Sequence, residues 1–163
     1  MFDVNLRHPH FERDVVEKLL YQADIVKLNE EELEIISRWN GFSVTSLDVT
    51  SHKIKEKYKI DQIIVTLGEN GALISYGSDI LRHPGYKVEV EDTVGSGDAF
   101  LAAFLANQIK GRNVNTCLDF ACATGAYVAT QNGANPPYDE SLIVNFIKKQ
   151  TYGRITTKLA MPG

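Results

Sequence analysis

Cysteine is scarce in this 163-residue chain: Cys117 and Cys122 are the only two. Five positions apart on a predicted helix, they turn to different faces, which suits neither a disulfide nor a zinc pair. Buried, reduced thiols are the expectation. Long apolar runs are missing too. The longest apolar-leaning stretch, Ala99 to Ile109, is broken by Asn107 and Gln108, and it falls far short of the roughly 20 residues of a bilayer span. Met1 leads into Asp3, Asn5 and Arg7 rather than into a basic segment followed by an apolar one, so no signal peptide is read and a cytoplasmic address is expected. There is no cationic excess: 17 Lys and Arg against 21 Asp and Glu give a net charge of -4, which leaves no electrostatic footprint for nucleic acid or an anionic membrane. Internal repeats and low-complexity segments are also lacking.

What is present reads as one globular domain over 1–150, with a loosely docked or mobile tail at 151–163 where periodicity weakens. Phe2 to Leu6 alternates like a strand, and Phe11 to Ala23 carries Val15, Val16, Leu19 and Leu20 on a helical stripe. Asp24 to Leu28 predicts a second strand, Glu30 to Trp39 and Val44 to Tyr58 two helices, and Asp61 to Leu67 a buried β-branched strand. Alternation of this kind gives a parallel sheet covered by helices, a three-layer α/β/α arrangement. Gly71 to Tyr76, Asp79 to His83 and Tyr86 to Val90, separated by Gly77-Ser78 and Pro84-Gly85, predict a small antiparallel extension. Helices follow from about Ser96 to Lys110, Val114 to Thr130 and Leu142 to Lys149, with Asn132-Gly133 marking the end of the middle one.

The most informative residues are Asp92-Thr93-Val94-Gly95-Ser96-Gly97-Asp98, placed between a strand and a helix. Glycines let the backbone approach an anion, and the free N–H groups and positive dipole end of the helix stabilise phosphate charge. A carboxylate at the mouth of such a hole repels phosphate, so Asp98 needs another purpose. Accepting a proton from an attacking hydroxyl is the natural one. The competing reading is plain helix capping. The segment is neither a Walker A loop nor a full dinucleotide turn, since Phe100 holds the third glycine's position. His8 and His10 flank Pro9 with no third ligand close in sequence, so no metal site is read there.

Residues 92–98 resemble the Asp-Thr-x-Gly-Ala-Gly-Asp signature of ribokinase-like (phosphofructokinase-B-type) carbohydrate kinases. Further segments resemble that family in the same order: Phe2-Asp-Val-Asn-Leu-Arg7, Leu28-Asn-Glu-Glu-Glu32, Val65-Thr-Leu-Gly-Glu-Asn-Gly71 and Gln131-Asn-Gly-Ala-Asn-Pro136. Together they cover about 1 to 140, and the first resembles the fructokinase and ketodeoxygluconate-kinase branches.

The resemblance implies ATP-dependent phosphorylation of a sugar hydroxyl. Asp98 would be the base, with the amides of Gly95, Ser96, Gly97 and Asp98 holding the transferring phosphate. Asn29 and Glu32 match an Asn-x-x-Glu element that acts near the phosphates and hydrated Mg2+; on residues alone they equally well start a helix. Thr66, Gly68 and Gly71 match a nucleotide-binding turn whose bland reading is a strand-ending turn into a hairpin. The adenine slot would lie between that turn and the small residues of Ala121 to Ala126. A monovalent cation, potassium in many relatives, would take backbone carbonyls that by position include Asp92, Val94, Val128, Gln131 and Gly133. Pro137 stands where relatives put a serine ligand. Asp3, Asn5 and Arg7, on one face of a strand by period two, would meet the substrate, Arg7 through an anionic group.

In the family, several strands, a β lid and most sugar-contacting residues precede the Asp-x-Asn-x-Arg strand. The chain is therefore expected to be the nucleotide-binding half, with little activity alone and a tendency to self-associate through an exposed edge. A nucleoside kinase and a non-catalytic nucleotide-binding or assembly module are the alternatives.

Overall fold

The computed structural model describes residues 1–7, 9–133 and 136–159, with side chains through 150. It divides into two compact units, Met1–Pro84 and Gly85–Gly163.

The first unit is a five-stranded sheet with three helices. Its strands are β1 (Phe2–Asp3), β2 (Ile25–Asn29), β3 (Gln62–Thr66), β4 (Ala72–Tyr76) and β5 (Asp79–His83), and its helices are α1 (Arg13–Gln22), α2 (Glu30–Trp39) and α3 (Leu47–Tyr58). The strands lie in chain order. β1, β2 and β3 are parallel, joined by helical crossovers, whereas β4 and β5 turn back antiparallel. Four strands therefore share one direction and β4 opposes them. In register, Val26 pairs Ile63, Leu28 pairs Val65, and Val65 pairs Leu73. These side chains point to one face, where they form a single core with Val16 and Leu20 of α1, Leu33 and Ile36 of α2, and Ile54 and Tyr58 of α3. The alternate positions Ile64, Ala72 and Ile74 are also fully buried, so the centre of the sheet is covered on both faces, as its continuous apolar runs require.

Local chemistry sets the boundaries. α2 begins at a capping box: the Asn29 side chain accepts from the Glu32 amide, and the Glu32 carboxylate accepts from the Asn29 amide, reciprocally satisfying two donors that a helix start leaves open. Ser46 caps α3 by accepting from the Val49 amide. Gly77, at φ +51°, makes the tight turn between β4 and β5.

In the second unit α4 (Ser96–Ile109), α5 (Val114–Ala129) and α6 (Glu140–Leu159) pack in sequence, α4 on α5 and α5 on α6. Phe100, Phe104, Leu118, Ala121, Cys122, Val128 and Ile143 are its buried apolar residues. Both cysteines are free and buried, as expected. Burial pushes the Cys122 thiol up to about 12. Within the described residues no helix is long and apolar enough to cross a membrane.

Two expectations are corrected. Tyr86 to Val90 is irregular, not a third antiparallel strand. After Pro84 and Gly85 (φ +78°) the segment is held by side chains instead: the Tyr86 hydroxyl bonds Asp119 and its ring stacks edge-on against Phe146 at 5.6 Å. The opening strand is also shorter than Phe2 to Leu6. Its last ladder bond runs from the Val4 amide to the Lys27 carbonyl, and Asn5 then turns left-handed at φ +43°. At the other end the helical backbone of α6 continues through 151–159, the stretch read as a tail; residues 160–163 lie outside the described set.

Candidate functional site

The first unit places several candidate residues at the carboxyl ends of its parallel strands. Asn29 and Thr66 are register partners on β2 and β3. Asp3 and Lys27 are partners one step back on the same side of the ladder. Lys27, only 9% exposed, stands within hydrogen-bond reach of both Asp3 carboxylate oxygens, each at 3.0 Å. Lys27 belongs to none of the sequence motifs. Its signal was a lone charge inside Ile25-Val-Lys-Leu-Asn29, two positions before Asn29. Asp3, assigned to the substrate, thus has a protein partner across the strand.

The left-handed turn at Asn5 takes Arg7 out of strand alternation, so period two does not govern where it points. Arg7 is exposed, and its Nε donates to Asn5 Oδ1 at 3.3 Å. Next to this turn Glu32 is buried at 7% exposure. One of its oxygens accepts from the Asn29 amide and the other from the Leu6 amide, both at 2.8 Å. After β3, a 3-10 turn over Gly68–Asn70 is closed by the Leu67 amide on the Gly71 carbonyl at 2.8 Å. Gly68 and Gly71 both have positive φ, +57° and +84°. The turn leads directly into β4, and an added Cβ at Gly68 would meet nothing within 4 Å.

The second unit holds the glycine turn. Val94 donates to Asp92 Oδ1 at 2.9 Å, and the Ser96 amide and hydroxyl both donate to the Thr93 carbonyl, at 3.2 and 2.8 Å. Gly95, at φ +81°, is the N-cap of α4 and gives no side-chain cap. The first intrahelical bond is Ala99 to Gly95 at 2.9 Å. Consequently the amides of Gly95, Gly97 and Asp98 have no acceptor among the described residues, whereas the Ser96 amide is occupied within its own turn. Three open donors at the positive end of a 14-residue helix fit an anion. Asp98 is exposed, and its carboxylate accepts no hydrogen bond and makes no ion pair among the described residues. It does not cap α4 by hydrogen bonding.

The end of α5 lies against the same turn. The amides of Glu91 and Asp92 both donate to the Ala129 carbonyl, at 2.9 and 3.3 Å. The carbonyls of Asp92, Val94, Gln131 and Gly133 accept no hydrogen bond among the described residues, and Val128 accepts from the Gln131 amide at 3.0 Å. That donor set of neutral oxygens fits a monovalent cation better than a transition metal. Ala134 and Asn135 of the same loop are outside the described residues, as is His8. Among the described residues no group of three or more His, Cys, Asp or Glu is placed to hold a metal ion. The small residues of α5 serve helix packing at least at Gly125, where an added Cβ would lie 3.1 Å from the Ser96 carbonyl oxygen.

Comparison with known proteins gives a consistent result. The family model described as pfkB family carbohydrate kinase matches residues 1–141. The 2-dehydro-3-deoxygalactonokinase of Haloferax volcanii is 30% identical over 136 residues, covering 81% of this chain and 42% of its own. An Escherichia coli fructokinase is 31% identical over 144 residues, covering 82% and 45%. Among solved structures, a double mutant of the Vibrio cholerae O395 fructokinase, with fructose, ADP and a potassium ion bound, superposes with a TM-score of 0.77 at 26% identity over 90% of this chain and 49% of that one. The fold is thus of the ribokinase-like α/β class. The chain spans under half the length of the first curated relatives it matches.

Proposed function

Because this chain belongs to the pfkB family of carbohydrate kinases, we propose that the complete protein phosphorylates a hydroxyl of a ketose or keto-acid sugar at the expense of ATP. The observation that carries the reading is the first turn of α4, where an unpartnered carboxylate, Asp98, accompanies three unpartnered amides. A carboxylate in a helix's first turn interacts favourably with the helix dipole, and one left without a capping bond beside an anion hole is also well suited to take a proton from an alcohol. The substrate class is supported by the two named relatives, a fructokinase and a 2-dehydro-3-deoxygalactonokinase.

The proposed roles rest on the family resemblance, and the geometry of the α4 turn supports those given to Asp98 and its neighbouring amides. Asp98 accepts the hydroxyl proton on a carboxylate oxygen as the sugar oxygen attacks. The amides of Gly95, Gly97 and Asp98, aided by the dipole of α4, stabilise charge on the phosphoryl oxygens. Ser96 contributes its amide only if its bond to Thr93 opens. ATP is the phosphoryl donor, and a hydrated Mg2+ bound with it near Asn29 and Glu32, as the family resemblance implies, would supply neutralisation of phosphate charge. Asn29, whose Nδ2 has no partner among the described residues, and the turn of Thr66, Gly68 and Gly71 are assigned to the nucleotide. Asn5 and Arg7 are assigned to the sugar, with Asp3 holding Lys27. A monovalent cation is assigned to the free carbonyls of the Asp92 and Gln131 loops, where it would steady the anion hole from behind.

The test is ADP release by the complete protein with Mg-ATP and a panel of fructose, 2-dehydro-3-deoxy sugar acids, ribose and adenosine. Release dependent on fructose or a keto-acid sugar is expected. Release with adenosine alone would make the protein a nucleoside kinase. Nucleotide binding with no release on any acceptor would make it a non-catalytic module.

A further inference from the structure

Glu32 is a buried carboxylate of the first unit engaged on both oxygens by backbone amides. It is 7% exposed, and each of its oxygens accepts a backbone amide at 2.8 Å, Asn29 on one side and Leu6 on the other. The Asn29 bond belongs to the capping box and joins neighbours in sequence. The Leu6 bond does not: it reaches 26 residues back to the segment just after β1. There the chain leaves the sheet, because the last ladder bond is that of Val4, and Asn5 adopts φ +43°. A non-glycine residue in the left-handed region is uncommon and persists where its surroundings hold it. The Glu32 carboxylate supplies that hold, capturing the amide that follows the turn with a charge-assisted bond. The Asn5 and Arg7 side chains, linked to each other through Nε and Oδ1, leave the chain on either side of the captured amide.

We infer that Glu32 is a positioning residue for the Asn5–Arg7 turn, in addition to the role near hydrated magnesium that the family resemblance gives its motif. Each carboxylate oxygen accepts one backbone amide and keeps a further acceptor site, so the hold on Leu6 is compatible with that other role. The hold on Leu6 stands on geometry alone. That it aims Asn5 and Arg7 at the sugar rests on the kinase reading proposed above.

Two measurements on the complete protein test this. By hydrogen exchange, the Leu6 amide of the wild type is expected to be protected, and Glu32→Gln is expected to lower that protection about tenfold or more, since the carboxamide presents an N–H to one of the two amides. A Leu6 amide that exchanges in the wild type as fast as a free amide overturns the inference without any variant. In kinetics, Glu32→Gln is expected to raise the sugar KM about tenfold. A sugar KM that stays unchanged, with or without a rise in the Mg2+ requirement, overturns the inference. So does a loss of kcat that merely follows the unfolded fraction. If no sugar is turned over by the wild type, the kinase reading and the aiming role fail together, and hydrogen exchange still decides whether Glu32 holds the turn.

Discussion

Gly125 of α5 passes so close to Ser96 of α4 that a Cβ on the glycine would stand 3.1 Å from the serine carbonyl oxygen and 3.4 Å from the Phe100 Cβ. The helix that ends beside the glycine turn is therefore in van der Waals contact with the first turn of the helix that carries Asp98.

Gly125→Ala sets two effects against each other. Alanine is better in a helix interior by about 1 kcal/mol, and overpacking costs about 1–3 kcal/mol. Net stability should consequently fall by no more than about 2 kcal/mol. The displaced first turn of α4 should nevertheless weaken Mg-ATP binding several-fold in a calorimetric titration of the complete protein. Unchanged affinity would mean that the two helices yield without disturbing the amides of Gly95, Gly97 and Asp98.

The Asp3–Lys27 pair should show coupling. Its side chains are 25% and 11% exposed, so removing one charge leaves the other partly desolvated. Lys27→Met is expected to destabilise by about 2–3 kcal/mol, below the range for fully buried pairs. The double variant Lys27→Met/Asp3→Asn should recover more than about 1 kcal/mol of that loss in denaturant unfolding. Additive losses would show that the two residues act independently.

Alkaline stability should report on Cys122. Burial raises its thiol to about 12 in the folded chain, whereas an unfolded thiol ionises near 8.5. The unfolded state therefore loses its proton first. The contribution to stability is full below about pH 8.5 and is lost as pH rises from there towards the folded value. Melting temperature measured between pH 8 and 11 should fall less steeply for Cys122→Ala than for the wild type, after allowing for the lower starting point of the variant. Parallel slopes would place the alkaline transition elsewhere. Tyr58, raised chiefly by desolvation, would be the next residue to examine.

Much of the architecture is legible in the residues because it depends on neighbours in sequence. Glu30–Trp39 and Asp79–His83 occupy the spans that pattern assigns them, since a capping box and a two-residue turn are local devices. Tyr86 to Val90 alternates as well as any strand here, yet alternation does not by itself fix a pairing partner, and the chain turns away from β5 at Pro84 and Gly85. Instead Tyr86 found Asp119 and Phe146, residues that no local pattern could link to it. The opening strand is shorter than its alternation predicts for a related reason. Alternation does not reveal that Asn5 turns left-handed, because the group holding the turn, Glu32, lies on another element. At the site, the glycine turn and Asp98 were legible as a motif. That the Ser96 amide is occupied, that Lys27 joins Asp3, and that Glu32 reaches the Leu6 amide are long-range or geometric facts beyond a motif's reach.

The central claim is that Asp98 is the base of a phosphoryl transfer, and Asp98→Asn in the complete protein tests it most directly. The variant keeps the size of the side chain and removes its capacity to take the proton. Sugar-dependent ADP release should fall by about 10²–10⁴-fold, while Mg-ATP affinity by calorimetry stays within about threefold of the wild type, because the amides of Gly95, Gly97 and Asp98 are untouched. Transfer at near wild-type rate would contradict the account and return Asp98 to a helix-terminus role; loss of Mg-ATP binding along with transfer would show that the carboxylate is needed to shape the anion hole itself.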